Sequence, residues 1–258
     1  FILNHRQRFE QGAPPVRPIA EQAHRDGAIL DLDKQSWPWA MMIAPVMKVD
    51  LFELANNHCW RAGFGLSQWG LDVAPDYMHL EKTKNGFTER GWIDFGLQSY
   101  YALLNCGFRM KPTAGTASGV HPVPLGFSRV YVHLPDGFDY DKWVAGLAAG
   151  RSFVTTGPML WADVEGQPLG GSLQLTDGKR RATVRGLATS PAPLAPIEVV
   201  VNGQVVKRVP AANRKNAAGA LESPFTVDLD IESSSWVAVR VFEDRKDGRV
   251  RFAHTAPI

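Results

Sequence analysis

The chain has 258 residues, 45% of them hydrophobic, which is enough to bury a full core and to form one large or two modest domains. Its formal net charge is only +2 and it carries no long run of Lys or Arg, so the electrostatic footprint of a nucleic-acid binder is missing. No apolar stretch reaches the roughly 18 residues a membrane span needs, and a soluble chain is expected.

FILN, from Phe1, reads as a strand already in progress, and a first residue other than Met leads us to expect a preceding segment of the same polypeptide. A leader removed upstream would leave the compartment illegible, periplasmic or secreted included. Val16 to Asp26 has helical spacing of Ile19, Ala20 and Ala23; Gly27 can stop that helix, and AILDLD from Ala28 then reads as a buried strand. VDLFEL from Val49 is the next strand. An irregular segment rich in Gly and Trp follows. A helix is expected from Leu97, running into a short strand near Lys111, and RVYVHL is a further strand. Asp139 or Asp141 can cap a helix that runs to Ala149 and stops at Gly150, before RSFVTT resumes as a strand. Strands separated by helices argue for a mostly parallel sheet or barrel.

The texture changes near Gly157 and Pro158. IEVVV and QVVKRV flank Asn202-Gly203, a hairpin signal because both central turn positions need positive φ. RATVRGL, PFTVDLD and WVAVRVF add alternating strands, and Ala211 to Ala220 reads as a solvated loop. The expected fold class is α/β followed by all-β: an α/β unit over residues 1–158, then a small antiparallel, Ig-like β-sandwich over 159–258. Nothing in the second unit supplies a nucleophile or a ligand cluster.

Chemistry is therefore sought at the strand ends of the first unit, where α/β folds keep their sites. DLDKQSWPW places Asp31, Asp33, Lys34 and Gln35 at one strand end, with Trp37 following; one of the two aspartates is expected to face a cleft. FELANNHCWR places Glu53, Asn56, Asn57 and His58 at the next. PTAGTASGVHPVPLG, Pro112 to Gly126, gathers glycines, hydroxyls and His121 in a loop after a third. Carboxylates and imidazoles meeting there would suit a divalent metal such as Zn, Mn or Fe, which polarises a bond and lowers the pKa of bound water. The same residues also read as ordinary salt-bridge partners and core histidines, since the chain has neither H-x-H nor H-E-x-x-H. Trp37 fits a stacking wall or the core, and Arg90 an anionic substrate group or an ion pair. Cys59 and Cys106 lack CxxC spacing, which favours buried thiols over one disulfide.

The runs DLDKQSWPW, VDLFELANNHCWR, GWIDFGLQSYYALLNCGFR, GTASGVHPVPLGFSRVYVHL, AGRSFVTTGP and FAHTAPI span nearly the whole chain. Together they resemble the C-terminal portion of CehA/McbA-type proteins, a branch of the PHP-domain metallohydrolases. The resemblance implies part of a distorted β/α barrel with a cluster of two or three metals. It implies a hydrolase that turns metal-activated water on a phosphoester, amide or carbamate bond of a small-molecule substrate. The hydrolase reading takes Glu53, His58 and His121 among the metal ligands, Asp33 as ligand or general base, and Trp37, Asn57 and Arg90 toward the substrate; Glu53 falls where the family tends to place an acidic residue. An upstream N-terminal half of the same protein would supply the family's H-x-H. The family commonly shows G-S-D-S-H where this chain has Gly115-Thr116-Ala117-Ser118-Gly119, so Ala117 and Gly119 stand in the metal-binding Asp and His positions, and His121 is the substitute. Gln35 stands where a His-Pro-like element is frequent. Two functional classes follow: a metal-dependent hydrolase with a divergent or incomplete site, and a catalytically silent binding protein, for example for a saccharide, that keeps the scaffold.

Overall fold

A computed structural model describes residues 1–10, 15–33, 38–64, 74–174 and 180–258. Lys34, Gln35 and Trp37 lie outside the described residues. The first elements are β1 (Ile2–Leu3), α1 (Val16–Arg25), β2 (Ile29–Leu32), α2 (Pro38–Met47) and β3 (Leu51–Ala55). Ala20 and Ala23 form the buried stripe of α1, as their spacing dictates, and Gly27 ends the turn after it at φ 75°. α2 has no counterpart in the sequence reading: its run PWAMMIAPVM is apolar all round and holds Pro45, so no amphipathic period marks it.

A small hairpin, β4 (Lys82–Thr83) and β5 (Gly86–Phe87), precedes α3 (Glu89–Asn105). α3 begins eight residues ahead of the expected Leu97, because Thr88 caps it by accepting from the Gly91 N–H at 3.0 Å. Gly91 is required by packing: a Cβ there would stand 1.9 Å from the Glu81 carbonyl oxygen. β6 (Lys111–Ala114), β7 (Arg129–Val132), α4 (Tyr140–Ala149) and β8 (Ser152–Thr155) follow. In α4, Asp139 accepts from the Lys142 N–H at 2.8 Å and Gly150 closes the helix at φ 75°.

The first sheet has the order β1-β2-β3-β6, with β2, β3 and β6 parallel and β1 antiparallel at the edge. Leu30, Leu32, Phe52 and Leu54 share a core with Ala23 of α1, Ala44 of α2 and Tyr100 of α3. The opposite face buries Ile29 and Leu51 against Leu147 of α4. Among the described residues the sheet does not close into a barrel.

The remaining strands are β9 (Met159–Val164), β10 (Gln167–Pro168), β11 (Arg180–Ser190), β12 (Ile197–Val201), β13 (Gln204–Val209), β14 (Arg214–Lys215), β15 (Leu221–Ile231), β16 (Val237–Asp244) and β17 (Val250–Thr255). A five-stranded sheet, β10-β9-β11-β15-β14, faces a six-stranded sheet, β13-β12-β16-β17-β8-β7, across a core that includes Leu160, Val184, Ile197 and Val241. This is a sandwich of antiparallel sheets. Asn202 at φ 48° and Gly203 at φ 86° make the expected hairpin turn. The 211–220 segment, read as loop, contributes the short edge strand β14.

β7 and β8, expected as strands of the α/β unit, pair instead within the six-stranded sheet, where β8 sets Val154 opposite His254 of β17. β17 lies between β16 and β8, so both of its backbone edges are hydrogen-bonded. The outer face of this sheet buries Val154, Val200, Phe242 and Phe252 in the same core as α3, so one apolar body joins the two units. No described helix is long and apolar enough to cross a membrane. Both cysteines are unbridged thiols, Cys59 buried but Cys106 exposed, which corrects the expectation that both are interior.

Candidate functional site

The three parallel strands end on one rim. Register sets Asp31 beside Leu51, Leu51 beside Lys111 and Glu53 beside Thr113. Every second side chain of a strand shares a face, so Asp31, Asp33, Glu53 and Thr113 lie on one face at the carboxyl ends. The expectation that the two aspartates point to opposite faces is corrected for that reason; the cavity of about 230 Å³ that both line also takes in Leu30, Leu32, Ile43 and Met47. Thr113 Oγ1 donates to Asp31 Oδ2 at 3.1 Å. Burial pushes the Asp31 carboxyl up to about 6, against that hydrogen bond and with a further push from the Asp33 charge.

Glu53 is 3% exposed and lies at a register shift in the β3–β6 ladder. Its carboxylate rests on the backbone of Gly115, where a Cβ would come within 2.4 Å of Oε1. The glycine is there for close approach. Its N–H continues the ladder by donating to the Ala55 carbonyl at 3.0 Å.

Beyond β3 the chain turns through a 3-10 segment, Asn57–Trp60. Asn56 caps it by accepting from the His58 N–H at 2.9 Å, and Trp92 of α3 donates its indole N–H to the His58 carbonyl at 3.2 Å. His58 is thus fixed from both sides. His121 arrives from the loop after β6, where Ala117 at φ 48° and Gly119 at φ 91° form a tight turn and the Val123 N–H donates to the His121 carbonyl at 2.7 Å. Its ring centroid lies 5.3 Å from that of His58 and stacks on Phe64 at 4.7 Å. Asn57, fully buried, holds the ring by donating from Nδ2 to Nδ1 at 2.8 Å. An acceptor Nδ1 leaves the proton of the neutral imidazole on Nε2. Asn57 Oδ1 is buried with no hydrogen-bond partner among the described residues, a place suited to a water or a substrate donor.

Among the described residues no group of three or more His, Cys, Asp or Glu side chains could hold a cation. The two imidazoles are neighbours, while Glu53 is applied to Gly115. Glu53, His58 and His121 share a rim without completing a cage on their own. Comparisons with protein-family models, with curated proteins and with solved structures gave no match.

Arg90 is committed elsewhere. Its Nε donates to Asp94 Oδ2 at 2.9 Å, its Nη2 lies 3.5 Å from Glu198 Oε2, and its guanidinium covers the Phe242 ring at 3.4 Å. Arg240 completes the network, with Nε 2.7 Å from Glu198 Oε2 and Nη1 3.2 Å from Asp94 Oδ1. Although burial pushes the Glu198 carboxyl up, Arg240, Arg90 and Arg208 hold it below its ordinary value. These ions tie α3 to the six-stranded sheet. Cys59 is no nucleophile, since burial pushes its thiol up to about 11. His254 is fully buried between the Tyr101 hydroxyl, 2.8 Å from Nε2, and its neighbour's carbonyl, 2.6 Å from Nδ1; burial lowers it to about 3 and keeps it neutral. Two rim residues were missed from sequence. Thr113 was recoverable, being two residues along β6 from Lys111 on the same face, whereas nothing local marked Phe64 as the partner of His121.

Proposed function

We propose that this rim is the reaction site of a PHP-type hydrolase of the CehA/McbA branch, acting with water on a phosphoester, amide or carbamate bond of a small molecule. The observation that carries the reading is the meeting of His58 and His121, from the segments that follow β3 and β6, with Asp31 and Glu53 on adjacent strands of the same parallel sheet. The loop backbone supports it. At Gly119, where the family pattern has a histidine, φ is 91°, a conformation that L side chains adopt only with strain; two residues on, His121 supplies an imidazole.

In this reading Asn57 orients the neutral His121 ring so that Nε2–H can donate a hydrogen bond to the oxygen that gains charge in the transition state, and Asn57 Oδ1 accepts from the attacking water. Asp31, whose carboxyl is raised to about 6, holds a proton further toward neutrality than an ordinary aspartate and serves as a reserve acid. The divalent metal that the resemblance implies, Zn, Mn or Fe, would lower the pKa of the bound water. The described residues alone do not fit such an ion, and any further donors would have to come from outside them. Metal content tests this part directly. In the longest polypeptide that contains this chain, bound Zn, Mn or Fe is expected near stoichiometric and reduced in His58→Ala and His121→Ala. Background metal in the wild type would overturn the metal-dependent reading, and saccharide binding without turnover would favour the silent binding protein.

A further inference from the structure

A second cleft, of about 570 Å³, opens at the opposite end of β6 from the rim, between the end of α3 and the sandwich. That volume is in the range of small-molecule sites. Its walls include Arg109, Lys111, Asn105, Ser172, Ser235 and Trp236. Two cations two residues apart face one space, and every ion pair between described residues lies elsewhere. Like charges placed together repel one another and gain from an added anion; Ile258 also lines the cleft, its main-chain oxygen accepting from the Val237 N–H at 2.9 Å.

Lys111 is held there by packing. A Cβ at Gly150 would lie 2.9 Å from Lys111 Cδ, so the aliphatic stem runs against the end of α4 and delivers the amine into the cleft. Burial, then the Arg109 charge, lowers the Lys111 pKa from its ordinary value, the mark of a cation short of compensating charge. The opposite wall is rigid: Trp236 donates its indole N–H to Asn105 Oδ1 at 2.8 Å, its backbone N–H to Asn202 Oδ1 at 3.0 Å, and Asn202 Nδ2 donates to Ser235 Oγ at 3.1 Å. Hydroxyls of Ser172 and Ser235 add neutral donors around the pair.

We propose that this cleft binds a small organic anion through a phosphate or carboxylate group seated between Arg109 and Lys111. It is separate from the rim and independent of the hydrolase reading. Pyrophosphate and citrate are the two probes, titrated separately by calorimetry against the wild-type chain, so that phosphate and carboxylate chemistry are distinguished. Saturable one-to-one binding of at least one probe is expected, weakened about tenfold or more in Lys111→Met and in Arg109→Met. Lys84→Met, on the exposed β4–β5 turn, is expected to leave it unchanged. Lys111→Met keeps the stem against Gly150, and Arg109 is exposed, so neither change removes buried packing. Failure of both probes to saturate at millimolar concentration would overturn the proposal. So would equal weakening by Lys84→Met, which would mean binding to overall charge.

Discussion

Gly115 and Glu53 show how a residue without a side chain can set the position of one with a carboxylate. The predicted clash of 2.4 Å in Gly115→Ala involves the mobile end of Glu53, so the backbone can stay and the carboxylate must move. The expected outcome is a nearly unchanged thermal midpoint with activity lowered about 100-fold, since a displacement of about 1 Å in a reacting group is that costly. Asp31 gives a second residue-scale test. Its folded pKa of about 6 stands above the ordinary 3.8, so the folded state holds the extra proton between those values. Its contribution to stability is therefore full below pH 3.8 and is lost as pH rises through 6. Relative to Asp31→Asn, wild-type stability measured by denaturant unfolding should fall across that window by up to about 1.4 kcal/mol per pH unit.

At the scale of elements, what was legible from sequence was whatever is fixed locally. The α1 stripe, the Asp139 and Gly150 caps of α4 and the Asn202-Gly203 turn each depend on neighbours a few residues away, and each formed where its signal stands. The start of α3 was hidden because Gly91 and Gly96 interrupt the helical pattern, although Gly91 is there to let the helix approach Glu81. Gly91→Ala places a Cβ 1.9 Å from a backbone oxygen that cannot swing aside, and should cost about 1–3 kcal/mol in chemical denaturation. The sheet to which β7 and β8 belong was illegible for another reason: the partner of β8, β17, lies about a hundred residues on, and alternation along a strand does not name its neighbour.

For the whole molecule, the same distance effect decided how much of the site could be read. The strand-end positions of Asp31, Asp33, Glu53 and His58 followed from period and punctuation, but the pairing of His121 with Asn57 and Phe64 exists only once two loops are folded together. Arg90 looked available in one dimension and is claimed in three by Asp94, Glu198 and Phe242. Its network spans α3 and the sandwich, so Glu198→Gln, which leaves Arg240 and Arg90 undercompensated in a largely buried place, should destabilise the folded chain by about 3 kcal/mol in denaturant melts. The integrity of the rim depends on that seam because Trp92 of the same helix holds His58.

Turnover tests the account most directly. Chromogenic phosphodiester, anilide and carbamate substrates would be assayed with the longest polypeptide containing this chain, as wild type, as His121→Ala and as Lys207→Met, an exposed cation on β13. The rim reading predicts hydrolysis of at least one substrate, a loss in kcat/KM of about 100-fold or more in His121→Ala with the thermal midpoint retained, and little change in Lys207→Met. Hydrolysis that His121→Ala leaves intact, or none with any of the three substrates, would contradict it.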